Sequence, residues 1–192
     1  VAYCPTDDGE LYLPGASTWV DVANLDRHLC GATRPGHFRG VCTVVAKLWQ
    51  LIQPDVSLFG QKDFQQLAIV RRMHRDLFFA GEVVGVPTVR EADGLALSSR
   101  NALLDEHARE RAVALPRFLQ TVRARYEAGE RSTAALLAGA EEALAPGEIH
   151  YVSAVDLDEL QPVESAERPT LVAAAVFFGG VRLIDNVVLR PS

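Results

Sequence analysis

Lysine occurs only twice in this chain of 192 residues, at Lys47 and Lys62, although lysine and arginine together number 19. Lys62 stands in Gly60-Gln61-Lys62-Asp63, a polar turn between a short apolar run and a helical repeat. An ammonium is a compact point charge suited to phosphate. Gly60 lets a ligand approach the backbone closely, and Asp63 can cap the following helix or accept from ligand hydroxyls. A solvated loop charge is the alternative reading of Lys62, and the turn is no Walker loop. A second cluster, Ser98-Ser99-Arg100-Asn101, sets two hydroxyls, a fork-shaped guanidinium and an amide side by side. Such a loop can wrap an anion, with bidentate charge from arginine and shorter bonds from hydroxyls and backbone N–H groups. By itself it also reads as a polar interdomain linker. Two anion-competent loops, Gly60–Asp63 and Leu97–Arg100, beside one domain boundary point to a ligand cleft.

The elements that must position these loops follow from periodicity. Val56 to Phe59 reads as a short buried strand, and Leu67, Ile69, Val70 and Met73 predict a helix over 63–79. A turn at that junction lies where open parallel α/β sheets bind ligands, beyond the carboxyl ends of the strands. Upstream, Val41, Val44, Val45, Leu48, Leu51 and Ile52 predict a helix over 41–53, stopped by Pro54 and preceded by a glycine-rich loop over 31–40. Leu25 to Cys30 reads as one or two helical turns. Residues 82–89 predict another buried strand, with Pro87 at an edge or end. Helix, strand, helix, strand implies a parallel α/β layer. Beyond Ala96 the composition shifts. A helix over 105–128 is predicted, with Pro116 kinking or dividing it, then a helix over 132–144 with Ser132 as N-cap. Strands are predicted over 149–157, 170–178 and 181–189, the last two joined by Gly179-Gly180 as a hairpin. The expected division is 1–95, an α/β domain, and 96–192, a small α+β domain. Val1 to Cys4 reads as a strand, so the chain is expected to begin inside a domain.

At 48% hydrophobic and 23% charged the chain can bury a real core. Its net charge of −6 gives no nucleic-acid footprint. Arg71, Arg72 and Arg75 read as a solvated helix face. Cys4, Cys30 and Cys42 lack paired spacing, which argues for a reducing compartment, and Cys42 reads as a small core residue. The five histidines show no metal-ligand spacing. No apolar run reaches membrane-spanning length.

Several runs together resemble the pantothenate synthetase (pantoate–β-alanine ligase) family. They are Arg34-Pro35-Gly36-His37-Phe38-Arg39-Gly40-Val41, Phe59 to Leu67, Val84-Gly85-Val86-Pro87, Asp93 to Asn101 and Arg182-Leu183-Ile184-Asp185-Asn186. The resemblance implies a Rossmann-like nucleotidyltransferase domain, incomplete at its N-terminus, followed by a small α+β domain. It implies the ATP- and Mg²⁺-dependent joining of pantoate to β-alanine through pantoyl adenylate, in a cytoplasmic homodimer. It carries ATP contacts to Gly60, Gln61, Lys62, Asp63, Val89, Leu97, Ser98, Ser99 and Arg100, with Lys62, Ser98 and Arg100 catalytic. Gln66 matches a pantoate-binding glutamine, and Arg34 and His37 a loop at the active-site mouth. No metal-binding side chain is expected. Two departures stand out: Gln61 replaces the usual glutamate, and nothing matches the family's N-terminal His-x-Gly-His-type motif. Two other readings are an inactive fragment or interaction module that keeps the fold, and a related nucleotidyltransferase with another acid substrate.

Overall fold

The computed structural model describes residues 3–6 and 8–191, with only the backbone of Asp8. Tyr3 and Cys4 are not in a strand, and the rest of the strand expected at the start lies outside the described residues. The first layer holds α1 (Leu29–Thr33), α2 (His37–Ile52), β1 (Val56–Gly60), α3 (Phe64–Asp76) and β2 (Glu82–Val86). β1 and β2 pair in parallel, from Val56 opposite Glu82 to Gly60 opposite Val86. The second layer holds α4 (Glu106–Ala112), α5 (Ala114–Glu127), α6 (Thr133–Leu137) and α7 (Ala140–Leu144), then β3 (Glu148–Asp156), β4 (Thr170–Phe178) and β5 (Val181–Leu189). These last three strands form an antiparallel sheet in the order β3-β4-β5.

Several expectations need correction. The glycine-rich stretch 31–40 is largely helical: α1 takes in Gly31, and α2 starts at His37 rather than Val41. Its first turn is mostly polar, so apolar spacing alone misses it. β1 is half-open rather than buried, with Val56 51% and Leu58 67% exposed. The helix over 105–128 divides at Val113, not at Pro116, which falls in the first turn of α5 where its missing N–H is not needed. The helix over 132–144 breaks at Gly139, whose φ of 80° leaves the helical region. Arg72 is not merely solvated: it pairs with Glu159 at 2.6 Å and donates to Asp158 O at 3.0 Å. β2 ends at Val86 and none of its residues is fully buried, and of the helical turns expected over 25–30 only Leu29 and Cys30 are helical. Several local expectations hold. Ser132 Oγ caps α6 by accepting from Ala135 N, and Cys42 is fully buried. Gly179 and Gly180 turn the β4–β5 hairpin with φ of 54° and 78°, which two central residues of a type I′ turn require.

β4 is buried on both faces, so its sequence is a continuous apolar run. Leu171 and Ala173 join the core made by α2 and α3, with Cys42, Trp49, Ile69, Val70 and Met73. Val172, Ala174 and Val176 join the core under α5, with Leu115, Phe118, Leu119 and Val122 at helical spacing. Each fully buried Val, Leu, Ile, Phe or Met side chain among these contributes about 1.5–3 kcal/mol. One strand thus serves two cores. Its neighbour β5 thereby lies against both anion-competent loops.

Candidate active site

The lysine turn is built by a strand that ends and a helix that begins. Gly60 is extended, Gln61–Asp63 form one 3₁₀ turn, and α3 starts at Phe64. The first turn of α3, Phe64 to Gln66, lines a cavity of about 220 Å³ together with Lys62 and Asp63. The helix therefore presents its N-terminal partial positive charge to that space. Asp63 occupies the cap position but its side chain makes no capping bond, contrary to one of its two expected roles. The paired glutamines separate cleanly. Gln65 is buried and spent on structure: Nε2 donates to the carbonyls of Leu25 and His28 at 2.8 Å each, and Oε1 accepts from Gly31 N. Gln66 is the amide left for the cavity. The two lysines separate likewise. Lys47 lies over the Tyr12 ring and donates to Leu11 O, whereas Lys62 lines the cavity.

The serine–arginine loop is anchored at many points. Ser98 caps the 3₁₀ turn Ser99–Leu103 by accepting from Arg100 N at 3.2 Å. Asn101 Nδ2 donates to Glu91 at 2.6 Å and to Ala96 O at 3.2 Å. Arg109 bridges Glu91 and Asp93, each at 2.6 Å. Hydrogen bonds from Asn101 and then Arg109 hold the Glu91 carboxyl below its ordinary range, and Arg109 does the same for Asp93. Ser98, Ser99 and Arg100 all line the cavity that holds Lys62.

The far wall comes from α1 and the antiparallel sheet. Cys30 Sγ lies 3.2 Å from Tyr151 Oη, and Arg182 Nη2 approaches that sulfur at 3.5 Å. Burial, then the neighbouring Cys30, pushes the Tyr151 phenol up, so it stays protonated. Arg34 and His37 also line the cavity, with Nη1 and Nε2 3.0 Å apart. Burial and then the Arg34 charge lower the His37 pKa from its ordinary 6.5. The wall thus carries four cations, Arg34, Lys62, Arg100 and Arg182, against the carboxylates of Asp63 and Asp185. Asp185 is already paired with Arg90. A cationic cavity on a chain of net charge −6 selects anions.

Gly60, Gln61, Val89 and Leu97 are not among the lining residues. The Gln61 side chain turns toward Gly85 O and borders a separate hollow beside Arg71 and Arg190. Val89 and Leu97 form an exposed ledge, joined by Leu97 N to Val89 O at 2.9 Å, immediately before Ser98. Five residues to which sequence reasoning gave no role belong to the site: Cys30, Tyr151, Arg182, Asp185 and Asn186. One signal was available. Asp185 is an acid at an inward position of a strand whose neighbours on that face are Leu183 and Val187.

The family model described as pantoate-beta-alanine ligase matches residues 1–188. Pantothenate synthetase of Solidesulfovibrio magneticus is 52% identical over 190 residues, which are 97% of this chain and 66% of that protein. Pantothenate synthetase of Anaeromyxobacter dehalogenans is 53% identical over 184 residues, 95% of this chain and 64% of that protein. The chain therefore spans slightly under two thirds of the length of these relatives. The crystal structure of pantothenate synthetase from Thermus thermophilus superposes with a TM-score of 0.91 at 45% identity, covering 96% of this chain and 68% of that one. Pantoate-beta-alanine ligase from Francisella tularensis, complexed with beta-gamma ATP and beta-alanine, superposes with a TM-score of 0.72 at 27% identity, covering 94% and 62%.

Proposed function

We propose, since the chain belongs to the pantoate–β-alanine ligase family, that the protein carrying it condenses pantoate with β-alanine through pantoyl adenylate, giving AMP and pyrophosphate. The observation that carries this reading is the convergence of Lys62, Gln66, Ser98, Ser99 and Arg100 on one cationic cavity from two distant stretches. In the first step a pantoate carboxylate oxygen bonds to the α-phosphorus of ATP. The bond to the β-phosphate breaks, and pyrophosphate leaves with its electron pair. Such a transfer needs positioning and charge stabilisation more than a protein nucleophile. Lys62, Arg100 and the N-terminus of α3 offset the charge that gathers on the departing phosphates, and Ser98 and Ser99 supply shorter hydrogen bonds. Gln66 holds pantoate. In the second step the amine of β-alanine attacks the acyl carbon, the carbon–oxygen bond breaks, and AMP leaves. The surplus proton passes to solvent or phosphate, so no general base is assigned.

Mg²⁺ fits as an ion carried mainly by the nucleotide. Among the described residues no group of three or more His, Cys, Asp or Glu could hold a metal, and Mg²⁺ at such sites takes few protein ligands besides phosphate. Asp63 is the carboxylate on the cavity wall left for it, and the bound ion would neutralise phosphate charge. Gly60, Gln61, Val89 and Leu97 enter the reading as backbone contacts on the ledge beside the cavity. A homodimer and a cytoplasmic location belong to the same proposal. Among the described residues no helix is long and apolar enough to cross a membrane.

The test is AMP production from ATP, pantoate and β-alanine by the full-length protein, beside pantoate-dependent exchange of labelled pyrophosphate into ATP. Release of ADP, or exchange supported by another acid and not by pantoate, refutes the reading.

A further inference from the structure

One short stretch of β5 touches both anion-competent loops of the cavity. Arg182 O accepts from Arg100 Nη1 at 3.2 Å. Asp185 takes both prongs of Arg90, at 2.7 and 3.0 Å, and Arg90 also donates to Gly94 O at the root of the Ser98 loop. Asn186 Nδ2 donates to Gln61 O at 3.0 Å and to Lys62 O at 2.8 Å. Asp185 and Asn186 are adjacent, so they point to opposite faces of the strand. One holds the serine–arginine loop and the other holds the lysine turn.

The two Asn186 bonds act on a specific part of the chain. The carbonyl of Gln61 belongs to the peptide plane before the Lys62 Cα, and the carbonyl of Lys62 to the plane after it. Fixing both planes fixes φ and ψ of Lys62, and with them the direction in which its side chain leaves the backbone. The Asp185–Arg90 pair carries a parallel message. A buried ion pair is worth little more than a well-packed apolar pair of the same volume. Leucine and valine fill the neighbouring inward positions of β5. Nothing in the packing calls for an acid there, while the position of Arg90 does.

We propose that Asn186 is a positioning residue for adenylate formation. It aims Lys62 at the phosphates, while Asp185, through Arg90, holds the Ser98–Arg100 loop at a set distance along the same strand. This rests on the function proposed above. A misplacement of about 1 Å between catalytic groups can cost about 10²-fold in rate.

The experiment uses the full-length protein and pantoate-dependent pyrophosphate exchange at saturating ATP and pantoate. Asn186→Ala should lower the maximal rate about 10²-fold, with the ATP KM changed far less. Asn186→Ser, which keeps one donor, should recover part of the loss. Asn186→Asp, isosteric but offering only acceptors to two carbonyls, should recover none. The deciding arm is a cycle with Lys62→Ala. If Asn186 acts through Lys62, Asn186→Ala costs little more in the Lys62→Ala background. A merely structural role would make the two losses multiply, and that result, or an unchanged rate in Asn186→Ala, overturns the proposal. Wild-type protein that exchanges no pyrophosphate with pantoate present would instead sink the function proposed above, and the positioning role with it.

Discussion

Arg90→Met separates what the Arg90–Asp185 pair does for stability from what it does for the site. The partners are unequal in exposure: the Arg90 side chain is 34% exposed and that of Asp185 is 1%. Removing Arg90 strands a carboxylate that cannot reach water and leaves it the Asn186 N–H at 2.8 Å as its hydrogen-bond donor. Breaking a buried pair in this way costs about 3–5 kcal/mol, and the lost bond to Gly94 O adds about 1 kcal/mol. Asp185→Leu strands the guanidinium instead, which can turn to solvent, and places leucine beside Leu183 and Val187. Its cost should stay near 1 kcal/mol, and Arg90→Met/Asp185→Leu should lie as close to wild type, since apolar replacement of such pairs is often neutral. At about 2–4 °C per kcal/mol for a chain of this size, Arg90→Met should melt about 8–24 °C low and the double variant within a few degrees of wild type. Thermal melts by circular dichroism, beside turnover, give the answer. The double variant should fold and yet turn over slowly, because its stability is restored and its loop anchor is not. Equal destabilisation by the two single variants would refute the assignment of the penalty to the buried carboxylate. Full turnover by the double variant would refute a positioning role for the pair.

Three further outcomes are expected. Lys62→Ala should lower pyrophosphate release about 10²–10³-fold, about 2.7–4 kcal/mol of transition-state stabilisation, with an unchanged melting temperature; normal turnover with a lowered melt would make Lys62 structural. The His37 midpoint, followed by NMR, should lie below 6.5 and rise when ATP binds, because a phosphate beside it favours the charged imidazole; Arg34→Met should raise it part of the way, burial being the larger cause. The folded state then binds the His37 proton less readily than the unfolded state, so this contribution to stability is present above pH 6.5 and lost as pH falls through the folded midpoint. Finally, the Ser98–Arg100 loop should tighten over bound nucleotide without a swing of the whole of 96–192, which β4 ties into the α2–α3 core. Limited proteolysis near Ser98 should slow with ATP and Mg²⁺, and unchanged cleavage would count against closure.

How much of this was legible in the sequence depended on the range over which each signal acts. The strand, turn and helix around Lys62 were legible because each is decided within a few residues, by apolar spacing and one glycine. So was the β4–β5 hairpin, where Gly179-Gly180 marks both ends at once. Helix breaks were less legible: Gly139 sits within an alanine-rich run that reads as continuous, and the polar first turn of α2 hides its start. The capping role open to Asp63 was not taken up, because the chain enters α3 through a 3₁₀ turn whose carbonyls are bound from outside by Asn186. That interaction spans more than a hundred residues of sequence, and no local pattern encodes it. Nor does any local pattern encode Arg90 with Asp185, 95 residues apart, or Cys30 with Tyr151, 121 apart. Sequence reading therefore found the cationic half of the cavity, where chemistry is concentrated in short polar loops. It gave no roles on the sheet wall, where the same residue types sit singly among apolar neighbours of β3 and β5. Asp185 is the exception that could have been caught. An acid on the inward face of an apolar strand requires a buried partner, and an unpaired arginine at the root of an anion-binding loop is the place to look for it.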